Sequence, residues 1–150
     1  MSGTQTKKGG TPWRLNTDGA AKGNPGPAGA GWVLINEETG ITVKDGRFLG
    51  EATNNEAEYQ ALIIGLEQSL IQGAKEIVVR MDSELLVRQI NGVYKVRNPR
   101  LAVFFEKAKD LLRKFSKYDI IHIPREQNQE ADRMANEAIR RRNQRPHSSV

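Results

Sequence analysis

Residues 13–36 read Trp-Arg-Leu-Asn-Thr-Asp-Gly-Ala-Ala-Lys-Gly-Asn-Pro-Gly-Pro-Ala-Gly-Ala-Gly-Trp-Val-Leu-Ile-Asn. Trp13 to Asp18 reads as a short strand that runs into Asp18-Gly19, a turn dipeptide. Gly23-Asn24-Pro25-Gly26-Pro27 is the strongest turn signal in the chain. Gly29 to Asn36 returns as a second strand. Beyond it, Thr39-Gly40 interrupts before Ile41 to Leu49, whose β-branched content and spacing mark an antiparallel partner. The first third of the chain is therefore predicted to be a three-stranded meander.

Periodicity changes downstream. Leu62, Leu66 and Leu70 recur at four-residue steps within Glu56 to Gln72, which predicts a helix closed by Gly73. Glu76 to Met81 is a compact strand, and Ser83 to Ile90 a short helix opened by Asp82-Ser83. Pro99 to Phe115 is a helix with proline in its first turn. Tyr118 to Ile123 is a last strand and Gln129 to Arg142 a last helix. The order β-β-β-α-β-α-α-β-α predicts an α/β protein whose mixed sheet carries helices on its faces. At 150 residues the chain suits a single domain. We place that domain at 12–142, with a flexible arm at 1–11 and a flexible basic tail at 143–150.

Composition narrows the chemistry. There is no Cys, which removes disulfides, thiol nucleophiles and Cys-based metal sites. The two histidines, His122 and His147, stand too far apart in sequence for a short-spaced zinc pair. A catalytic metal would have to be held by carboxylates. Apolar runs such as Ala61 to Ile64 and Leu101 to Phe105 fall far below the roughly 20 residues of a membrane span. The polar N-terminus lacks the apolar core of a secretory signal, so a cytoplasmic protein is expected. The net charge of +5 belongs to the second half. Residues 1–75 hold 7 Lys and Arg against 8 Asp and Glu, and residues 76–150 hold 16 against 10. A basic surface of that kind suits a polyanion such as nucleic acid.

Four carboxylates fall at element ends or helix starts: Asp18, Glu58, Asp82 and Asp132. Each has an ordinary structural role open to it. Asp18 could belong to a turn, Asn55-x-x-Glu58 could be a capping box, Asp82 could be a helix N-cap, and Asp132 could serve the dipole of the last helix. Were strands one and four parallel neighbours, Asp18 and Asp82 would emerge at one sheet edge, where sites in open α/β sheets form. Converging carboxylates resist full ionisation unless cations neutralise them, and oxygen-only ligands suit Mg2+ or Mn2+.

The blocks Asn16-Thr17-Asp18-Gly19-Ala20-Ala21-Lys22-Gly23-Asn24-Pro25-Gly26-Pro27, Thr53-Asn54-Asn55-Glu56-Ala57-Glu58, Asp82-Ser83 and Asn128-Gln129-Glu130-Ala131-Asp132 together resemble type 1 ribonuclease H. They occur in the family's order, with the four carboxylates 40, 24 and 50 residues apart, and the likeness covers roughly residues 12–140. It implies the ribonuclease H-like fold: a five-stranded sheet of three antiparallel strands followed by two parallel ones, with helices on both faces. It implies an endonuclease that cuts the RNA strand of RNA–DNA hybrids with two Mg2+ ions, Mn2+ being the natural substitute, leaving 5′-phosphate and 3′-hydroxyl ends. Asp18, Glu58, Asp82 and Asp132 would be both the catalytic residues and the metal ligands. Glu56, about 200° from Glu58 around a helix, would face elsewhere.

The same likeness makes Asn24, Asn54 and Asn55 contacts to the minor groove, where ribose 2′-hydroxyls distinguish RNA. Thr53 matches a position near a DNA-strand phosphate. Three departures stand out. Glu84 replaces a frequent Gln. Only Asn91 to Arg100 stands where many bacterial members carry a long basic handle, so Lys95, Arg97 and Arg100 form a reduced version. The histidine of the loop before the last carboxylate is absent, leaving Arg125 to steer phosphate, while His122 is expected to be structural. A monomer with no obligate protein partner is expected. The alternative reading is a non-catalytic module that binds hybrid or double-stranded RNA. A third is another nuclease on this fold.

Overall fold

A computed structural model describes residues 12–142; the predicted arm at 1–11 and tail at 143–150 lie outside the described residues. Strands β1 (Trp13–Ala21), β2 (Gly26–Asn36) and β3 (Thr42–Ala52) are followed by helix α1 (Asn54–Ile71), strand β4 (Glu76–Met81), and helices α2 (Glu84–Ile90) and α3 (Pro99–Leu112). Strand β5 (Lys117–His122), a 3-10 turn (Arg125–Gln127) and helix α4 (Gln129–Arg141) complete the order. The sheet runs β3-β2-β1-β4-β5. β1, β2 and β3 pair antiparallel, whereas β4 lies parallel to both β1 and β5. The mixed five-stranded arrangement is therefore the one expected.

Apolar periodicity decides which face each helix covers. Leu62 and Leu66 of α1 are fully buried with Leu15, Trp32 and Leu34 of β1 and β2, and with Ile77 and Val79 of β4. Leu70 is half-buried at the margin of that core. Removing one such side chain from water contributes about 1.5–3 kcal/mol, so the leucine repeat holds α1 against the sheet. α4 takes the opposite face and comes closest to the sheet at Gly29, Gly31 and Gly46. A Cβ on Gly31 would lie 2.1 Å from the Ala131 carbonyl oxygen, so only glycine admits the helix so closely.

The meander is longer than predicted. β1 continues to Ala21 and β2 begins at Gly26, because Gly19, Ala20 and Ala21 pair with Ala30, Gly29 and Ala28. β3 correspondingly ends at Ala52, paired with Gly26, rather than at Leu49. Glycine and alanine carry little strand signal in sequence, but here their small size lets helices approach both faces. Asp18 consequently lies within a strand and not in a turn. Two capping assignments also change. Thr53 caps α1, with Glu56 completing its capping box, so Glu58 has no capping duty. Ser83 caps α2, which releases Asp82.

Candidate active site

Parallel pairing of β1 with β4 brings two carboxylates to one edge, and the neighbouring helix starts supply two more. Asp18 near the end of β1, Glu58 in the second turn of α1 and Asp82 just past β4 each present a carboxylate oxygen, and these three atoms lie within 4.8 Å of one another. Asp132, in the first turn of α4, shares a hydrogen bond with Asp18. All four predicted carboxylates are thus brought together. Among the described residues this is the one cluster dense enough in carboxylate or imidazole ligands to hold a metal ion.

Close approach of α1 to β1 depends on Gly19, where a Cβ would fall 2.2 Å from the Ala57 carbonyl carbon. The Gly19 amide instead donates to Glu58 Oε1 at 3.2 Å and fixes that side chain. Asp132 is held by Asn136, whose Nδ2 donates to its Oδ1 at 3.1 Å and to its carbonyl at 2.9 Å. Asn136 in turn accepts from Lys22 Nζ at 2.7 Å, so the β1–β2 turn is tied to α4.

Electrostatics express the crowding. Burial first, then the charges of Glu58 and Asp82, push the Asp18 carboxyl up to about 10. Burial and the Asp82 charge push Glu58 up to about 8, although the Gly19 amide, Asp18 and the Arg125 guanidinium oppose the shift. Asp82 is raised by burial and by Asp132 while a hydrogen bond from Asn128 and the charges of Arg125 and His122 pull it down. The cluster therefore holds protons unless cations replace them. An oxygen-only donor set of this charge fits hard divalent ions, and Asp18, Glu58, Asp82 and Asp132 are the residues that would hold them.

Arg125, exposed at the start of the 3-10 turn, is close enough to lower both Glu58 and Asp82. His122 lies in the strand before the loop, as expected. It ends β5 exposed to solvent, paired in register with Met81 and acting on Asp82 through its charge.

Beside the cluster lies a groove of about 710 Å³ lined by Asn24, Thr53, Asn54, Asn55, Asn98 and Arg100 among others. Asn24 Oδ1 accepts from the Asn54 amide at 3.0 Å, and Asn54 Oδ1 accepts from the Ala21 amide at 3.2 Å. Thr53 Oγ1 accepts from the Glu56 amide at 3.1 Å. The sequence reading missed Asn98 as a lining residue, and it placed Arg100 with Lys95 and Arg97 in a reduced basic handle. Arg100 Nε instead donates to Glu56 Oε2 at 2.6 Å, and Asn98 caps α3. The Asn98-Pro99 pair was the signal available for the cap. Lys95 and Arg97 are exposed on the connection from α2 to α3, and neither lines the groove. Glu84 forms an ion pair with Arg88 at 2.9 Å, so its charge is matched within α2.

A mixed sheet of this order with carboxylates gathered at its parallel edge defines the ribonuclease H-like class. The family model described as Reverse transcriptase-like matches residues 16–138. Ribonuclease HI of Halobacterium salinarum is 44% identical over 122 residues, which are 81% of this chain and 61% of that protein. The crystal structure of RNase H1 from Halobacterium salinarum superposes with a TM-score of 0.84 at 42% identity, covering 87% of this chain and 98% of that one. LC11-RNase H1, solved in complex with an RNA/DNA hybrid, superposes with a TM-score of 0.82 at 43% identity, over 87% of this chain and 99% of that one. The chain belongs to the type 1 ribonuclease H family, and it spans about three fifths of its Halobacterium relative's length.

Proposed function

We propose that the protein is an endonuclease that hydrolyses the RNA strand of RNA–DNA hybrids, with two divalent cations, Mg2+ or Mn2+, held by Asp18, Glu58, Asp82 and Asp132. The observation that carries this reading is the approach of three carboxylates to within 4.8 Å, with a fourth bonded to one of them. Charge so concentrated opposes folding and phosphate binding alike unless cations occupy it. When bound, such ions supply Lewis-acid activation of a water and neutralise charge on the attacked phosphate. Water adds to phosphorus, the bond to the 3′ oxygen breaks, and the products carry a 5′-phosphate and a 3′-hydroxyl. No side-chain nucleophile is required.

The chain's own residues select and orient the substrate. The carboxamide oxygens of Asn24 and Asn54 are already engaged, so their NH2 groups remain to donate to 2′-hydroxyl oxygens. Asn55, exposed beside them, completes an uncharged surface for the minor groove. Thr53 uses its oxygen as acceptor and keeps its hydroxyl proton for a DNA-strand phosphate. Arg125, with Lys95 and Arg97 further out, steers the backbone as permanent or near-permanent cations. Among the described residues no helix is long and apolar enough to cross a membrane. A monomer acting in the cytoplasm without an obligate partner is the setting we assign.

Uniformly labelled hybrid, DNA duplex and RNA duplex should be incubated with the protein in Mg2+, in Mn2+ and in excess chelator. Cleavage confined to the RNA strand of the hybrid, and abolished by chelation, is the expected result. Hybrid binding without cleavage in either metal would instead establish the non-catalytic module.

A further inference from the structure

Asn136 lies one turn after Asp132 on α4, where an amide has an ordinary duty: bonding back to the carbonyl four residues earlier. That contact is present, with Nδ2 donating to the Asp132 carbonyl at 2.9 Å. The same NH2 group also donates to Asp132 Oδ1 at 3.1 Å, so its two protons go to one residue, one to the backbone and one to the carboxylate. The amide oxygen accepts from Lys22 Nζ at 2.7 Å, across 114 residues of chain. An ammonium only donates, whereas a carbonyl and an ionised carboxylate only accept. All three partners therefore demand the same orientation of the amide.

Asp132 is the carboxylate whose placement needs such support. Asp18, Glu58 and Asp82 bring oxygens within 4.8 Å of one another, and Asp132 stands outside that group. It is half-buried in the first turn of α4. A half-buried carboxylate can turn about its own bonds, and holding one oxygen limits that turning. Helix geometry suits the task, because residues four apart share a face and side chains lean toward the N-terminus, so Asn136 reaches back over Asp132. We infer that Asn136 is a positioning residue that holds Asp132 Oδ1 so that the carboxylate meets the metal in one orientation, and that Lys22 anchors Asn136 to the turn between β1 and β2. The inference rests on the metal-dependent reading above. Asn136 acts through Asp132, and Lys22 acts through Asn136. Asn24 belongs to the same turn as Lys22, so a segment assigned to the minor groove and a metal ligand are joined through one amide.

The test is calorimetric titration of Mg2+ and Mn2+ into the protein alone, beside KM for hybrid at saturating metal. Asn136→Ala should weaken binding of both ions about tenfold to a hundredfold, the usual cost of losing a partner of a metal ligand, and leave KM for hybrid within about twofold. Asn136→Ser should lose as much, since a serine hydroxyl can bond back to the Asp132 carbonyl but has no second proton for Oδ1. Lys22→Met keeps the stem and removes the ammonium. It should cost less than Asn136→Ala and add nothing to it in the double variant. A folded Asn136→Ala protein that binds both ions like its parent overturns the inference even if it melts earlier, because Asn136 then only secures the helix and the turn. Parent-like metal affinity in Asn136→Ser overturns it as well, by assigning the effect to the backbone contact. A further loss in the double variant refutes the anchoring by Lys22. If Asn136→Ala does not fold, Asn136→Ser alone decides. A parent that neither binds divalent cations nor cleaves hybrid sinks the functional reading itself, whereas an active parent with insensitive variants sinks only this step.

Discussion

Asp82 carries two opposed duties that one substitution separates. It raises the protonation of Glu58 and Asp18 by its charge, and it offers an oxygen to the cluster. Asp82→Asn removes a ligand without emptying the core, so hybrid cleavage should fall by more than about a hundredfold while circular dichroism and hybrid binding persist. The same change removes like-charge repulsion, so the metal-free variant should melt at a higher temperature than its parent at neutral pH. Retained activity with an unaltered melting temperature would take Asp82 out of the site. At this scale the sequence was informative where residue type and chemistry coincide: all four carboxylates were legible. Asn128 was visible only as one letter of a motif, because nothing in a linear pattern shows that its amide turns away from its own helix to bond elements more than a hundred residues earlier.

Elements hold the site through their termini. Glu56 accepts from the Thr53 amide at 2.9 Å and from Arg100 while only 6% exposed, so α1 and α3 are joined at their N-termini. Both partners hold the Glu56 carboxyl below the usual range, the Thr53 amide more than Arg100. Glu56→Ala should cost about 1–3 kcal/mol of unfolding free energy, through a broken capping box and an orphaned Arg100. Arg100→Ala should cost less, about 0–1 kcal/mol, since that side chain is mostly in water. Urea midpoints of the two variants check the order, and equal losses would assign the effect to the ion pair alone. Helices and the β4 strand were legible because leucine periodicity and Ile-Val-Val survive as patterns. The ends of β1, β2 and β3 were not, since Gly19, Ala20, Ala21 and Gly26 have no strand propensity and pair only because helices press on the sheet from both sides.

Over the whole molecule, the cluster couples proton binding to folding. Asp18 moves from an ordinary value of 3.8 to about 10, and Glu58 from 4.5 to about 8. Raised carboxyls mean that the folded state binds more protons than the unfolded one between those limits, so folding is favoured below about pH 4 and that contribution is lost as pH rises toward 8 and then 10. Thermal melts in chelator should therefore shift downward across that window, and millimolar Mg2+ should reverse the shift by binding only the folded form. A melting temperature independent of pH and Mg2+ would contradict the crowding described. The basic second half makes a separate prediction. Replacing Lys95 and Arg97 together by Ala should lower the salt slope of hybrid binding by about 0.9 for each phosphate no longer neutralised, with the rate at saturation unchanged. An unchanged slope would show that neither side chain reaches the nucleic-acid backbone.

The seat of α4 on Gly29 and Gly31 also has a bearing on synthesis. Carboxylates from β1, α1 and β4 leave the ribosome well before Asp132, and the face that α4 covers has glycine at 29, 31 and 46, where the helix backbone comes closest. Until the last helix arrives, those glycines stand uncovered, and pairing of β1 with β4 must close a loop of roughly sixty residues. Order in this protein is therefore acquired from distant contacts, late and together. A chain ended before residue 128 lacks Asp132 and the helix that carries it, and should bind divalent cations less tightly than the full chain.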